Sequence, residues 1–350
     1  MIHARGLVQT FQTRQGRTKT EVRAVDGVDL DVDEGEIVGF LGPNGAGKTT
    51  TLRMLNTLLT PTAGTATVAG YDVVRDPVQV RRSIGYVSQA GGAFSGARAG
   101  DEVMDHGMLY GLSRKVVEER GRSLFEQLNL DGLWTRMPKN MSGGQKRRLD
   151  IVMGLIHEPT LMFLDEPTTG LDPQARANLW EHIADLRRRR GATVFLTTHY
   201  LDEADVLSDR IVIIDQGSIV AADTADNLKA QVAGDLVNLE VTDRAHLGEA
   251  ARKLAAITDG RSEVEVDGRH VRGRVPRAGR AVQGLLRDLD RSGIDLDSIE
   301  VHRPTLDDVF LTLTGRSLRD AEAANADTPN ATPATEPASE PTQLAEGALQ

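Results

Sequence analysis

The stretch Gly42-Pro43-Asn44-Gly45-Ala46-Gly47-Lys48-Thr49 carries the spacing G-x-x-x-x-G-K-[ST], set between an apolar run, Glu36 to Gly42, and a helical one, Lys48 to Leu59. A strand that turns through glycines into a helix offers inward backbone N–H groups at the positive helix end, a cradle for phosphate oxygens. In such a cradle Lys48 reaches the β and γ phosphates of a nucleotide, the Thr49 hydroxyl is placed for Mg²⁺, and Thr50 continues the first turn. Working outward, Leu161-Met162-Phe163-Leu164 is an apolar strand ending in Asp165-Glu166, which delivers carboxylates beside the phosphates. Asp165 is the candidate for Mg²⁺ and Glu166 for the general base on an attacking water. Thr193 to Thr197 is a further strand, and Arg210 to Ile214 with Ser218 to Ala222 flank Asp215-Gln216-Gly217 as a hairpin. The alternation is that of a doubly wound α/β fold. Residues from Phe94 to Lys139 lack strand runs and carry helical spacing at Val116, Leu124 and Leu128, so an inserted helical subdomain is expected at about 90–150.

Composition narrows the classes. The 350 residues hold 41 Lys+Arg against 51 Asp+Glu, a net charge of −10, with no cysteine. A disulfide framework, a thiolate nucleophile and cysteine-based metal sites are excluded. Net acidity speaks against nucleic acid as a partner. The longest apolar stretches are strand-sized, whereas a membrane span needs about 20 apolar residues; the start, Met1-Ile2-His3-Ala4-Arg5-Gly6, has no apolar signal core. A soluble, intracellular chain is expected. The basic runs Lys146 to Arg148 and Arg187 to Arg190 read as structural, the second suiting the negative end of the helix Gln174 to Arg190.

Met141-Ser142-Gly143-Gly144-Gln145 opens a helix with a hydroxyl N-cap and bare N–H groups suited to an anion. With this third motif in order, residues 1–235 resemble the ATP-binding cassette (ABC) ATPases, Met141 standing where that family's signature has Leu. The resemblance implies a P-loop NTPase cassette with an antiparallel β subdomain and an inserted helical subdomain, binding ATP and Mg²⁺. It implies that Gln89, ending Ile84-Gly85-Tyr86-Val87-Ser88-Gln89, is the Q-loop glutamine at Mg²⁺ and the water. Gly170-Leu171-Asp172-Pro173 is similar to the D-loop, placing Asp172 at the nucleotide, and His199 to the switch histidine at the γ-phosphate. Phe11 is the implied platform for adenine. Ser142, Gly143, Gly144 and Gln145 would complete the site of a second cassette, two copies sandwiching two ATP. The Gly-rich segment after Gln89, Ala90 to Gly96, is the part that faces the membrane subunit in the family.

From Leu236 the pattern changes to strand, helix, strand, strand, helix, strand. The strands are expected at Leu236 to Thr242, Ser262 to Asp267, Arg269 to Val275 and Asp297 to His302, with Asp267-Gly268 as a hairpin turn. That order fits a small α+β ferredoxin-like module over 236–315, closed by a helix, Leu306 to Thr314, with Leu306, Val309, Phe310 and Leu313 on one face. Residues 316–350 are expected to be a disordered tail: Asp320 to Gln350 has four prolines, six acidic residues and no Lys or Arg. The ending Arg303 to Gly315 is similar to that of exporter ATPase subunits of the daunorubicin/doxorubicin-resistance type. This implies a separate polytopic permease, a second cassette as a homodimer, a place on the cytoplasmic face of the plasma membrane, and export of a drug or lipid-like hydrophobic compound. The alternative is a soluble ABC ATPase acting on ribosomes or DNA.

Overall fold

The computed structural model describes residues 1–15, 18–92, 96–231, 234–258, 264–276, 278–318 and 320–321. The cassette strands are β1 (Ile2–Gln15), β2 (Thr18–Val32), β3 (Ile37–Leu41), β4 (Ala63–Val68), β5 (Tyr71–Asp72), β6 (Ile84–Val87), β7 (Leu161–Asp165), β8 (Thr193–Thr198), β9 (Arg210–Asp215) and β10 (Ser218–Asp223). Its helices are α1 (Lys48–Leu55), α2 (Pro77–Ser83), α3 (Ala99–Leu109), α4 (Arg114–Gln127), α5 (Gly143–Leu155), α6 (Pro173–Arg190), α7 (Leu201–Leu207) and α8 (Ala225–Gln231).

Two sheets carry these elements, an antiparallel one in the order β2-β1-β4-β5 and a larger one in the order β10-β9-β3-β8-β7-β6. The larger sheet is parallel except for the β9–β10 hairpin. Strand β3, Ile-Val-Gly-Phe-Leu, is buried at every position because helices and the first sheet cover both its faces. Alternation along the strands divides the interior. Phe40, Phe163 and Phe195 face α1 and the first sheet, while Leu164 and Leu196 face α5, α6 and the helical subdomain. In register, Phe40 pairs Thr197, which pairs Asp165, so the loops after β3, β7 and β8 start level with one another at the carboxyl edge.

Helix α1 ends at Leu55, four residues short of the expected Leu59. Asn56 Oδ1 accepts the Leu58 N–H at 3.2 Å, and Thr57 takes a left-handed φ of 66°, which turns the chain. The polar segment near Gln12 to Val22 is a ribbon: β1 and β2 stay paired from Ile2 opposite Val32 out to Gln15 opposite Thr18.

The second unit contains β11 (Asp235–Val241), α9 (Leu247–Ala255), β12 (Glu265–Asp267), β13 (His270–Val275), α10 (Ala278–Arg291) and β14 (Leu296–His302). Its antiparallel sheet has the order β12-β13-β11-β14, the ferredoxin-like arrangement expected from the strand sequence. The tight turn falls on Gly268 and Arg269, because Asp267 already pairs with His270. The second strand was expected from Ser262, which lies outside the described residues, and begins at Glu265.

Helix α11 (Leu306–Thr314) is not part of this second core, whose apolar face is already filled by α9 and α10. Leu306, Val309 and Phe310 instead pack on Leu41, Ala204, Ile211, Ile213 and Leu228 of the cassette. Nor does a tail begin at 316: Arg316 pairs with Asp215 at 2.9 Å, and Leu318 and Ala321 are buried in the same cluster. Residues 322–350, the rest of the expected tail, lie outside the described residues.

Candidate functional site

The loop after β3 runs directly into α1, whose N-cap is Gly47 at φ 105°. Only glycine adopts that angle cheaply, and a Cβ there would sit 2.6 Å from the Ala24 carbonyl on β2. The loop is braced from behind, since Ala46 O accepts the Gly217 N–H of the β9–β10 turn at 2.9 Å. Lys48, 4% exposed, donates from Nζ to Gly42 O at 2.7 Å and Pro43 O at 3.1 Å. Its Nζ lies 3.4 Å from Glu166 Oε1. Asn44 and Gly45 complete the loop, and Thr49 and Thr50 open the first turn of α1.

Asp165 ends β7 and is 2% exposed. Its Oδ1 accepts two hydroxyls, Thr49 Oγ1 at 3.1 Å and Thr197 Oγ1 at 2.7 Å. Burial pushes its carboxyl up from the usual range, and these two donors offset part of that. Glu166 follows in a left-handed conformation, φ 44°, which costs a side-chain-bearing residue free energy and aims the carboxylate into the site. Its backbone N–H is held by both Thr197 O at 3.1 Å and Thr197 Oγ1 at 3.0 Å.

Three side chains converge on the Glu166 carboxylate besides Lys48. Gln89 Nε2 donates to Oε2 at 2.9 Å and Thr169 Oγ1 donates at 3.1 Å. His199 Nδ1 stands 3.3 Å from the same oxygen, off line for a hydrogen bond. Burial alone would raise the Glu166 pKa, but His199 and Lys48 beside it prevail and lower it to about 2. His199 is oriented in turn by Tyr200, whose ring lies 4.1 Å away and carries the Arg176 guanidinium on its face at 4.2 Å.

The fold thus gathers Lys48, Thr49, Gln89, Asp165, Glu166 and His199 into one cluster. It sends the Ser-Gly-Gly-Gln group elsewhere. Ser142 caps α5 by accepting the Gln145 N–H, and Gln145 Oε1 accepts the Ser142 N–H, a closed capping box. The neighbours of Gly143 and Gly144 are Leu171 and Ala175, so this group sits beside the start of α6. Asp172 accepts the Ala175 N–H at 2.9 Å and serves as the N-cap of α6. Phe11 lies on the ribbon, half-buried, paired with Val22 two residues before the Ala24 that abuts Gly47.

Two residues that matter here had no motif to announce them. Thr197 is a strand end by its neighbours, and Arg147 belongs to a basic run that reads as structural. Arg147 is 7% exposed and binds three backbone carbonyls around the cluster.

A groove of about 320 Å³ opens between β6, α3 and α5, lined by Ser88, Gly92, Glu102, Asp105, His106 and Asp150 among others. Leu109 at its rim is 84% exposed. Among the described residues, no helix is long and apolar enough to cross a membrane.

The profile of the family described as ABC transporter matches residues 25–169, and that of the ATP-binding protein DrrA1-3-like C-terminal domain matches 224–314. The daunorubicin resistance ATP-binding protein DrrA2 of Streptomyces coeruleorubidus is 42% identical over 306 residues, 87% of this chain and 95% of that protein. The daunorubicin/doxorubicin resistance ATP-binding protein DrrA of Streptomyces peucetius is 40% identical, over 87% of this chain and 92% of that protein. Among solved structures, the dimeric form of a bacterial ABC transporter cassette aligns with a TM-score of 0.58 at 25% identity, covering 64% of this chain and 98% of the other.

Proposed function

The chain belongs to the ABC transporter family of ATP-binding proteins, and on that premise we propose that it is the ATP-hydrolysing subunit of a drug or lipid exporter whose permease is a separate polytopic protein. The observation that carries the reading is the convergence of Gln89, His199 and Lys48 on the buried Glu166 carboxylate.

ATP is the substrate. The N–H groups of the loop from Gly42 to Lys48 cradle its phosphates, Lys48 reaches the β and γ groups, and Phe11 stacks on the adenine. Thr49 Oγ1 and Asp165 Oδ1, 3.1 Å apart, would hold Mg²⁺ together with the amide oxygen of Gln89, hard oxygen donors of the kind that ion prefers. Bound there, the ion would supply positive charge against the phosphate oxygens. Glu166 aligns the attacking water and takes its proton, while His199 orients the Glu166 carboxylate and meets the γ-phosphate. His199 first and then Lys48 hold the Glu166 carboxyl at about 2; a bound triphosphate draws on Lys48 and brings negative charge beside the carboxylate, which moves Glu166 upward and makes it a better base.

Ser142, Gly143, Gly144 and Gln145 lie beside the start of α6 and Asp172, where a second copy of the chain would meet both. This supports a homodimer in which each signature group, with Asp172, completes the partner's site. The groove beside the Gln89 turn takes a cytoplasmic segment of the permease; its acidic lining by Glu102 and Asp105 and the exposed Leu109 favour a basic, partly apolar helix. The chain works at the cytoplasmic face of the plasma membrane through that contact.

The test is export in cells carrying the chain with its permease. Glu166→Gln should abolish efflux while the two proteins still co-purify; full efflux by that variant would refute the reading. Recovery with ribosomes and without a membrane partner would favour a soluble ATPase.

A further inference from the structure

Helix α5 reaches the Gln89 turn at two points one helical turn apart. Arg147 donates Nη1 to Ser88 O, Nη2 to Asp165 O at 2.9 Å and Nε to Pro167 O at 2.8 Å. Asp150 Oδ1 accepts the Gly92 N–H at 3.0 Å. Ser88 and Gly92 bracket Gln89, and Asp165 and Pro167 bracket Glu166. The turn is also closed on itself, since Gly91 N–H reaches Ser88 O and Ser88 Oγ reaches Gly91 O, each at 3.1 Å. Gly91 has φ 79°, and a Cβ on it would stand 3.0 Å from Asp150 Oδ2, so the turn lies flush on the helix.

We propose that Arg147 and Asp150 are positioning residues that clamp the Gln89 turn to the strand end bearing Glu166, so that α5, the helix begun by Ser142, sets the hydrolytic geometry of this chain's own site. The inference rests on the reading of the cluster as an ATPase site. A planar guanidinium can address three carbonyls at fixed angles, which a lysine ammonium on a flexible stem cannot. Gln89 Nε2 reaches Glu166 from a turn fastened on both sides, and a displacement of about 1 Å in such an arrangement costs up to about a hundredfold in rate. The three hydrogen bonds of Arg147 end on main-chain carbonyls outside the loop from Gly42 to Lys48, so its effect is expected on turnover and not on affinity for ATP.

The experiment compares the full chain with Arg147→Lys, Arg147→Gln, Asp150→Ala and Asp150→Asn, reading steady-state phosphate release, binding of a fluorescent ATP analogue and the thermal midpoint. The two Arg147 variants and Asp150→Ala are expected to lose about tenfold or more in kcat with analogue affinity held within about twofold. Asp150→Asn, which keeps an oxygen for the Gly92 N–H, is expected to retain about half of kcat or more. A kcat within about twofold of the unaltered chain for Arg147→Gln or Asp150→Ala overturns the clamp, as does a parallel loss of affinity. If the Arg147 variants do not fold, the Asp150 pair decides. Absence of phosphate release by the unaltered chain would instead count against the ATPase reading.

Discussion

Thr197 Oγ1 donates to Asp165 Oδ1 at 2.7 Å from the adjacent strand, at the level where the two residues pair in register. That hydroxyl and Thr49 hold down a carboxyl which burial pushes up. Thr197→Val removes the donor at nearly constant shape, so the Asp165 pKa rises further. The acid limb of kcat/KM should therefore move to higher pH, with a stability loss of about 1–3 kcal/mol. A pH–rate profile beside urea unfolding checks both, and an unmoved acid limb would show that Thr197 does not tune Asp165.

Glu166→Gln should lower kcat by about 10²- to 10⁴-fold while ATP binding persists, because the amide keeps the shape and loses the base. Single-turnover phosphate release with a parallel binding titration measures the two separately. A variant that binds ATP and turns over normally would assign the proton to another group.

Glu203 on α7 is fully buried, and burial raises its carboxyl even though Trp180 Nε1 donates to Oε1 at 3.1 Å. Because the folded state holds this proton more tightly than the unfolded chain, the stability it confers is complete below the ordinary value of 4.5 and is lost as pH rises through the folded value. Glu203→Gln stays neutral, so it should raise the melting temperature by about 2 °C at pH 8, an advantage that shrinks toward pH 4.5. Calorimetry across that range is the check, and a variant less stable than the native chain at pH 8 contradicts it.

Phe310→Ala should cost about 3–5 kcal/mol, and the loss should be felt in the cassette. Phe310 is fully buried among Leu41, Ile211, Ile213 and Leu228, none of which belongs to the ferredoxin-like sheet. Hydrogen exchange should therefore speed up in β9 and α7 and leave α9 and α10 protected. The opposite pattern would place α11 with the second unit.

The sequence made the phosphate loop legible because its residues are contiguous and its glycines answer local backbone demands. Asp165 and Glu166 were legible as acidic residues at the end of an apolar run, whereas His199 was legible only through the family resemblance. Arg147 was not, since its three acceptors are main-chain carbonyls that leave no trace in residue type, and a basic residue between Lys146 and Arg148 reads as a solvated face. Thr197 was hidden for a similar reason, as β-branched residues are expected in strands on propensity alone. The apolar face of α11 was evident from its spacing, but periodicity says that a face is buried and not against what.

The docking of α11 on Leu41 and β9 also orders events in time. A ribosome that has made the chain only to residue 235 has every member of the cluster around Glu166 in hand, yet the back of β9 and the end of β3 are bare. The covering helix arrives only after the whole second unit has been synthesised between them. Synthesis of the ATPase half therefore precedes its completion, and a chain broken off before Phe310 would carry an uncovered apolar floor, the kind of surface by which chaperones and proteases sort unfinished proteins.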